Sequence, residues 1–388
     1  MRILHVIPSV SMVRGGTSQA VLDMVQALQA KNVDAEIATT NDNGDGLLDV
    51  PLQKCVEYEK VPTWFFPRFS PTAKAVREYA FSWQLTQWLW QNMCQYDLVH
   101  IHALFSYPST IAMAIARLQN LPYIVSPHGL LCEWSLQQST RKKQMYLRLI
   151  EKANINHCQA VHFTSEQEQQ EVSQLGLSAL NFVLPLGLSF PKQIGDARYK
   201  LRQSLNIPAE EPIILFLSRL HPKKGLDFLI PSLSQLADRR FTFILAGSGS
   251  PDYESKIKSL LMSYGLSNRT HFAGFVEGEN KNLLLQGSDL FVLTSYSENF
   301  GVAVLEALAA GLPVLITPGV ALASMLEQHQ LAYVVQQDVS EITNAILDFL
   351  NSPKLAQQMG ERAHKFVLEK YTWENIAGKM IRVYTSNV

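Results

Sequence analysis

The sequence predicts an α/β protein of two doubly wound domains, each a largely parallel sheet with helices on both faces. Three observations carry this expectation. Short apolar runs alternate with helical patterns along the whole chain, as they do in parallel sheets buried on both sides. The alternation ends near Pro185 and then restarts. At 388 residues the chain is also long enough to bury two separate cores.

In the first domain, 1–186, strands are expected over residues 3–7, 35–39, 98–102, 123–126 and 161–164. The opening run resembles the start of a signal peptide. However, His5 and Pro8 interrupt it and no small-residue cleavage site follows, so it reads as the first strand. A helix is expected over 20–28. Residues 51–71, with four prolines and the run Trp64-Phe65-Phe66, break the pattern and receive no assignment. The second domain, 187–372, begins after a junction near 184–191. Its expected strands are 213–218, 242–246, 270–273, 290–293, 313–316 and 333–335. Ligands of such sheets bind at the carboxyl ends of the strands, so with two domains the expected site is a cleft between them.

Composition narrows the function. With 33 basic and 34 acidic residues the formal charge is −1, which gives no footprint for nucleic acid. The four cysteines, Cys55, Cys94, Cys132 and Cys158, are scattered without a Cys-x-x-Cys pair. That spacing suits neither zinc nor a disulfide framework, and a reducing cytosol is the expected compartment. No apolar run reaches the roughly 20 residues of a membrane span.

The most informative segment holds Glu298 and Glu306, eight positions apart, in Ser-Glu-Asn-Phe-Gly-Val-Ala-Val-Leu-Glu. It reads as strand, loop and a helix over 302–310. The backbone N–H groups of Asn299, Phe300 and Gly301 are then placed at a helix start, where unpaired donors and the positive dipole end attract phosphate. Two flanking carboxylates can accept hydrogen bonds from sugar hydroxyls. Together they suit a sugar joined to a diphosphate.

Ser218-Arg219-Leu220-His221-Pro222-Lys223-Lys224-Gly225 follows the first strand of the second domain. Arg219 can grip a diphosphate bidentately and Lys224 adds a point charge, which together stabilise a leaving group without a metal. Taken alone, such a pair is an ordinary basic turn; beside the glutamate segment the clamp is the better reading. Gly15 and Gly16, between the first strand and its helix, allow close backbone approach to a ligand. An ordinary turn explains them equally well. His128, in Ser-Pro-His-Gly after a strand, has two readings of equal weight, a sugar contact and a structural histidine. His5, His100, His102 and His162 are read as structural. Gly247-Ser248-Gly249 is half of a dinucleotide fingerprint and reads better as a loop beside a nucleotide. Gly274, Phe275 and Val276 follow a strand and are candidates for contact with a base. No Asp-x-Asp pair occurs, so no metal and no other cofactor is expected beside the donor substrate.

Residues 140–152 mix basic and apolar side chains, and Trp83, Trp88 and Trp90 share another expected helix. A peripheral membrane surface suits this mixture, although a solvated face and a core helix explain it more simply.

Taken together, these motifs resemble the retaining family 4 glycosyltransferases of the GT-B fold over nearly the whole chain, most strongly from Ser218 to Val314. The resemblance implies that Glu298 meets donor-sugar hydroxyls, that Glu306 binds the ribose and that Arg219 and Lys224 clamp the diphosphate. It further implies that backbone at Asn299, Phe300 and Gly301 holds sugar and phosphates, and that a last helix, 373–388, packs back on the first domain. The implied reaction is transfer of a hexose, glucose from UDP-glucose first, to a saccharide acceptor in surface-glycan synthesis. A lipid-linked acceptor and peripheral membrane contact would follow. A UDP-sugar epimerase of the same fold and a non-catalytic nucleotide-sugar binder are the alternatives. Two departures stand out. Asn299 occupies a place often held by glycine, and Pro185-Leu186-Gly187 lacks an asparagine found in many relatives.

Overall fold

The computed structural model describes residues 1–137, 140–190 and 192–386. It divides into two compact units, the first formed by Met1–Leu188 together with the helix Trp373–Thr385, the second by Ser189–Thr372. Residues 387–388 of the expected last helix lie outside the described residues.

The first unit is built on β1 (Arg2–Val6), β2 (Asp34–Thr40), β3 (Asp42–Asn43), β4 (Gly46–Leu47), β5 (Cys55–Tyr58) and β6 (Val61–Phe66). To these are added β7 (Leu98–His102), β8 (Tyr123–Ser126), β9 (Ala160–Phe163) and β10 (Asn181–Val183). Eight of these strands make one sheet in the order β10-β9-β8-β7-β1-β2-β6-β5, while β3 and β4 form a separate two-stranded ladder. Within the sheet only β5 runs antiparallel to its neighbour. β7, β8 and β9 are buried along their length, and on one face of the sheet Leu4, Val6, Val99, Ile101 and Val125 join Leu85, Leu89 and Met113 from two helices in a continuous core.

The unassigned segment 51–71 supplies β5 and β6. β6 continues the parallel sheet beside β2 and β5 folds back on it as the edge. Pro62 is tolerated because it sits in the outer hairpin, where a missing N–H costs little. β10, also unforeseen, is a three-residue edge strand. The last helix buries Trp373, Ile376, Ala377, Met380 and Tyr384, and the Trp373 indole donates to Asp23 Oδ2 at 3.2 Å. Gly187 leaves room for that indole, because a Cβ there would stand 2.3 Å from Trp373 Cδ2.

The second unit contains β11 (Ile213–Leu217), β12 (Thr242–Ala246), β13 (Thr270–Gly274), β14 (Leu290–Leu293), β15 (Val314–Ile316) and β16 (Tyr333–Val334). All pair in parallel, in the order β13-β12-β11-β14-β15-β16. The order reverses between β11 and β14, and the loops leaving these two strands flank the crevice where such sheets bind ligands. Among the described residues no helix is long and apolar enough to cross a membrane.

Candidate functional site

The two loops at this switch point are sewn together by backbone. Tyr296 N–H donates to the Lys223 carbonyl at 2.8 Å, and the Thr294 hydroxyl donates to the Gly225 carbonyl at 2.8 Å. Gly225 has φ +69°, and a Cβ there would stand 1.9 Å from the Thr294 carbonyl oxygen, so only glycine permits this approach. The loop after β15 locks the other side. Glu298 N–H donates to Gly319 at 2.7 Å and its carbonyl accepts from Ala321 at 3.0 Å. Glu298 is therefore held by its own main chain.

Its side chain pairs with Lys224, whose ammonium donates to Glu298 Oε2. Lys224 is 9 % exposed, so little solvent screens the pair. Arg219, six residues past the start of β11, is exposed and makes no ion pair among the described residues. Gly301 takes the left-handed turn at φ +78° that starts the helix Val302–Ala309, which buries Val304, Leu305, Ala307 and Leu308 and leaves Glu306 half-buried. Asn299 is not among the residues with positive φ, so the side chain in place of glycine is accommodated without strain. Phe300 is buried against Tyr371, with ring centroids 6.3 Å apart.

Glu306 Oε1 accepts from Lys281 Nζ at 2.7 Å. Lys281 was not foreseen, since a lysine on the helix Gly278–Gly287 carries no local mark of its partner on another helix. Gly274, Phe275 and Val276 lead into that helix. The Gly274 carbonyl accepts from Gly247 at 2.6 Å and Phe275 is exposed. Gly247, at φ +134°, lies against Ser218, where a Cβ would stand 1.9 Å from the carbonyl oxygen. The Gly-Ser-Gly loop thus packs on the Arg219 loop, with Leu220 N–H donating to Ser248 at 2.8 Å.

Gly15, Gly16 and His128 belong to the first unit. Gly15 has φ +97° and ψ −163°, a conformation nearly reserved for glycine, and Gly16 begins the helix Gly16–Gln29. The turn before them is anchored by Asp42, which accepts from Arg14 at 2.6 and 2.7 Å and also from the buried Arg68. Its members are 26 and 28 positions apart, so no local pattern along the chain marks the triad. His128, at φ +52°, and Gly129, at φ +78°, make two successive left-handed residues after β8. Gly129 N–H donates to Glu168 Oε1 at 2.5 Å, while the other carboxylate oxygen accepts from the Thr164 N–H and hydroxyl.

A cation on one loop facing a carboxylate on the next, beside a helix start, is an arrangement that can receive an anionic, hydroxyl-bearing ligand. Residues 15–187 match the glycosyl transferase 4-like domain, and residues 197–366 match the glycosyl transferases group 1 family. The chain is 24 % identical to the D-inositol 3-phosphate glycosyltransferase of Streptomyces coelicolor, with 96 % of this chain and 87 % of that protein covered. It is 27 % identical to the GDP-mannose-dependent alpha-(1-6)-phosphatidylinositol monomannoside mannosyltransferase of Mycolicibacterium smegmatis, over 66 % of this chain and 68 % of that one. In fold it is similar to the sucrose-phosphate synthase of Thermosynechococcus elongatus, at a TM-score of 0.79 and 21 % identity, covering 99 % and 98 % of the two chains. It is also similar to Anabaena HepE in complex with UDP-glucose, at 0.78 and 22 %, covering 99 % of each. The chain belongs to the family 4 glycosyltransferases of the GT-B fold.

Proposed function

We propose that this glycosyltransferase moves a hexose, glucose from UDP-glucose, to a saccharide hydroxyl with retention of anomeric configuration and without a metal. The observation that carries this reading is the Lys224–Glu298 pair at the switch point, with Arg219 exposed on the same loop and in no ion pair among the described residues. A leaving diphosphate needs fixed positive charge, and the donor sugar needs a fixed acceptor for its hydroxyls. Arg219 and Lys224 take the first role and Glu298 the second. Glu306 receives the ribose, oriented by Lys281. Backbone at Asn299, Phe300 and Gly301 receives sugar and phosphates, and Gly274, Phe275 and Val276 border the base. Gly15 and Gly16 give the close backbone approach on the first unit.

In the transfer step the bond from the anomeric carbon to the β-phosphate oxygen breaks, its electron pair passing to that oxygen. The acceptor hydroxyl oxygen bonds to the same face of the carbon, and its proton passes to the leaving diphosphate. The protein positions the partners and stabilises charge. Uridine is favoured by the likeness to HepE, a structure solved with UDP-glucose, although one relative uses GDP-mannose.

The acceptor reading, a lipid-linked saccharide of a surface glycan, rests on the helical segment 140–156. There Met145 and Leu149 are 60 % and 70 % exposed beside Arg141 and Arg148. The side chains of Thr140 and Lys142 lie outside the described residues. Trp83 and Trp90 are exposed as well, whereas Trp88 is partly buried and packs on Trp64, with centroids 4.9 Å apart, against the core. Exposed apolar side chains on the same helical segment as two exposed arginines suit an anionic membrane surface.

The test offers UDP-glucose, GDP-mannose and ADP-glucose with a saccharide acceptor, with and without EDTA, and reads the product anomer by NMR. Transfer from UDP-glucose with retention, indifferent to EDTA, is expected. Transfer from GDP-mannose alone, an inverted product, or loss of turnover in EDTA would each overturn the corresponding part. Flotation with anionic vesicles tests the membrane surface, and failure to float would remove it.

A further inference from the structure

The first sheet carries two lines of hydrogen-bonded side chains that no local motif announces. In one, His100 Nδ1 lies 2.6 Å from the Tyr384 hydroxyl and His100 Nε2 lies 2.7 Å from Ser126 Oγ. Ser126 Oγ is 2.8 Å from His162 Nδ1, and His162 Nε2 is 2.7 Å from the Leu184 carbonyl. A carbonyl only accepts, so the order of every proton follows from that end. His162 Nε2–H donates to Leu184, Ser126 O–H to His162 Nδ1, His100 Nε2–H to Ser126 and Tyr384 O–H to His100 Nδ1. Both nitrogens of His100 are therefore committed. The grouping of His5, His100 and His102, close enough for a shared ion, is on this account a hydrogen-bonded cluster.

The second line runs from the core to the end of β8 in the same unit. His5 Nδ1 is 3.0 Å from His102 Nε2, and His102 Nδ1 is 3.0 Å from His128 Nε2. Burial pushes His5 and His128 down to about 3 and holds His102 well below the ordinary imidazole value, so each ring is neutral and carries one proton. Two orders remain. If protons point inward, His5 Nε2–H is a fully buried donor, and it has no partner among the described residues. If they point outward, the same atom is a bare lone pair. Orphaned buried N–H groups are the rarer of the two.

We infer that His5 and His102 are positioning residues that fix His128 as its Nδ1–H tautomer, so that it offers a hydrogen-bond donor, and no base, to a sugar oxygen at the end of β8. The left-handed backbone of His128, held by the Gly129–Glu168 bond, aims the ring while the line behind it sets the proton. That the oxygen belongs to a sugar rests on the proposed hexosyl transfer; the proton order does not.

The test is long-range ¹H–¹⁵N correlation of the histidine-labelled full chain without ligand. The expected result is a protonated Nδ1 and a bare Nε2 at His128, the reverse of the tautomer commoner in water. His102→Leu should shift His128 to the Nε2–H form and lower kcat by about tenfold, the scale of one lost neutral hydrogen bond. His102→Asn, which keeps a donor near the Nδ1 position, should restore both readouts. A bare Nδ1 at His128 in the parent protein, or one nitrogen pattern for the parent and His102→Leu, would overturn the inference. Should His102→Leu fail to fold, the parent spectrum decides alone. A protonated Nδ1 in a chain that transfers no hexose would sink the functional reading and leave the proton order standing.

Discussion

Lowering the pH from about 7.5 to about 5 should strip more stability from the first unit than from the second. His5, His100, His102 and His162 are 0 % exposed in the first unit, and burial pushes all four below the ordinary imidazole value, His162 to about 4. Their folded-state pKa is depressed, so the contribution to stability is full above the unfolded value of about 6.5 and drains as the pH falls towards the folded values. Across that window each neutral imidazole forfeits about 2 kcal/mol, because the unfolded chain takes up a proton that the native state refuses. All four act in the same direction, against a typical total stability of only about 5–15 kcal/mol. Among the described residues the second unit has no fully buried histidine. All six tryptophans, Trp64, Trp83, Trp88, Trp90, Trp134 and Trp373, belong to the first unit, so urea titrations followed by indole fluorescence report on that unit. The urea midpoint should fall steeply between the two pH values. His162→Gln, which keeps a neutral donor for Leu184, should remove about 2 kcal/mol of that dependence. An unchanged midpoint in the parent, or the same pH dependence in both proteins, would refute the reasoning.

Three further outcomes are expected. Arg219→Ala or Lys224→Ala should lower turnover about a hundredfold, roughly 3 kcal/mol of transition-state stabilisation, in an initial-rate assay; near-normal rates in both would remove the clamp. Calorimetric titration with UDP should show Glu306→Ala and Lys281→Ala weakening binding more than Glu298→Ala, since the first two act on the ribose and the third on the sugar that UDP lacks. Equal losses would contradict that division. Gly225→Ala should destabilise the second unit by roughly 3 kcal/mol through positive φ and the Thr294 contact, read by circular dichroism because that unit has no tryptophan.

The parallel strands were legible because strands buried on both faces are continuous apolar runs, as in Ile213–Leu217 and Leu290–Leu293. β5 and β6 were not. Their hairpin is an edge with mixed burial, and its prolines imitate a loop. The same divide runs through the site. Glycines that permit a close approach and carboxylates beside a helix start leave local marks, so Gly301, Glu298 and Glu306 could be read directly. Lys281 beside Glu306, and Asp42 beneath Arg14 and Arg68, exist as pairs only after folding. The histidine lines belong with these. Sheet register sets His5 opposite His100 and His102 opposite Ser126, and no spacing along the chain shows that four histidines read singly as structural share two proton-ordered rows.

The helix Trp373–Thr385 closes a unit whose other residues end at Leu188. During synthesis the ribosome releases the N-terminal sheet first, with the seat of Trp373 beside Gly187 still open and His100 Nδ1 lacking its Tyr384 hydroxyl. At roughly 5–20 residues per second that state lasts on the order of ten to forty seconds while the second unit is made. Throughout that interval a nascent chain carries an apolar seat fitted to its own last helix, and this is the surface a chaperone would have to cover.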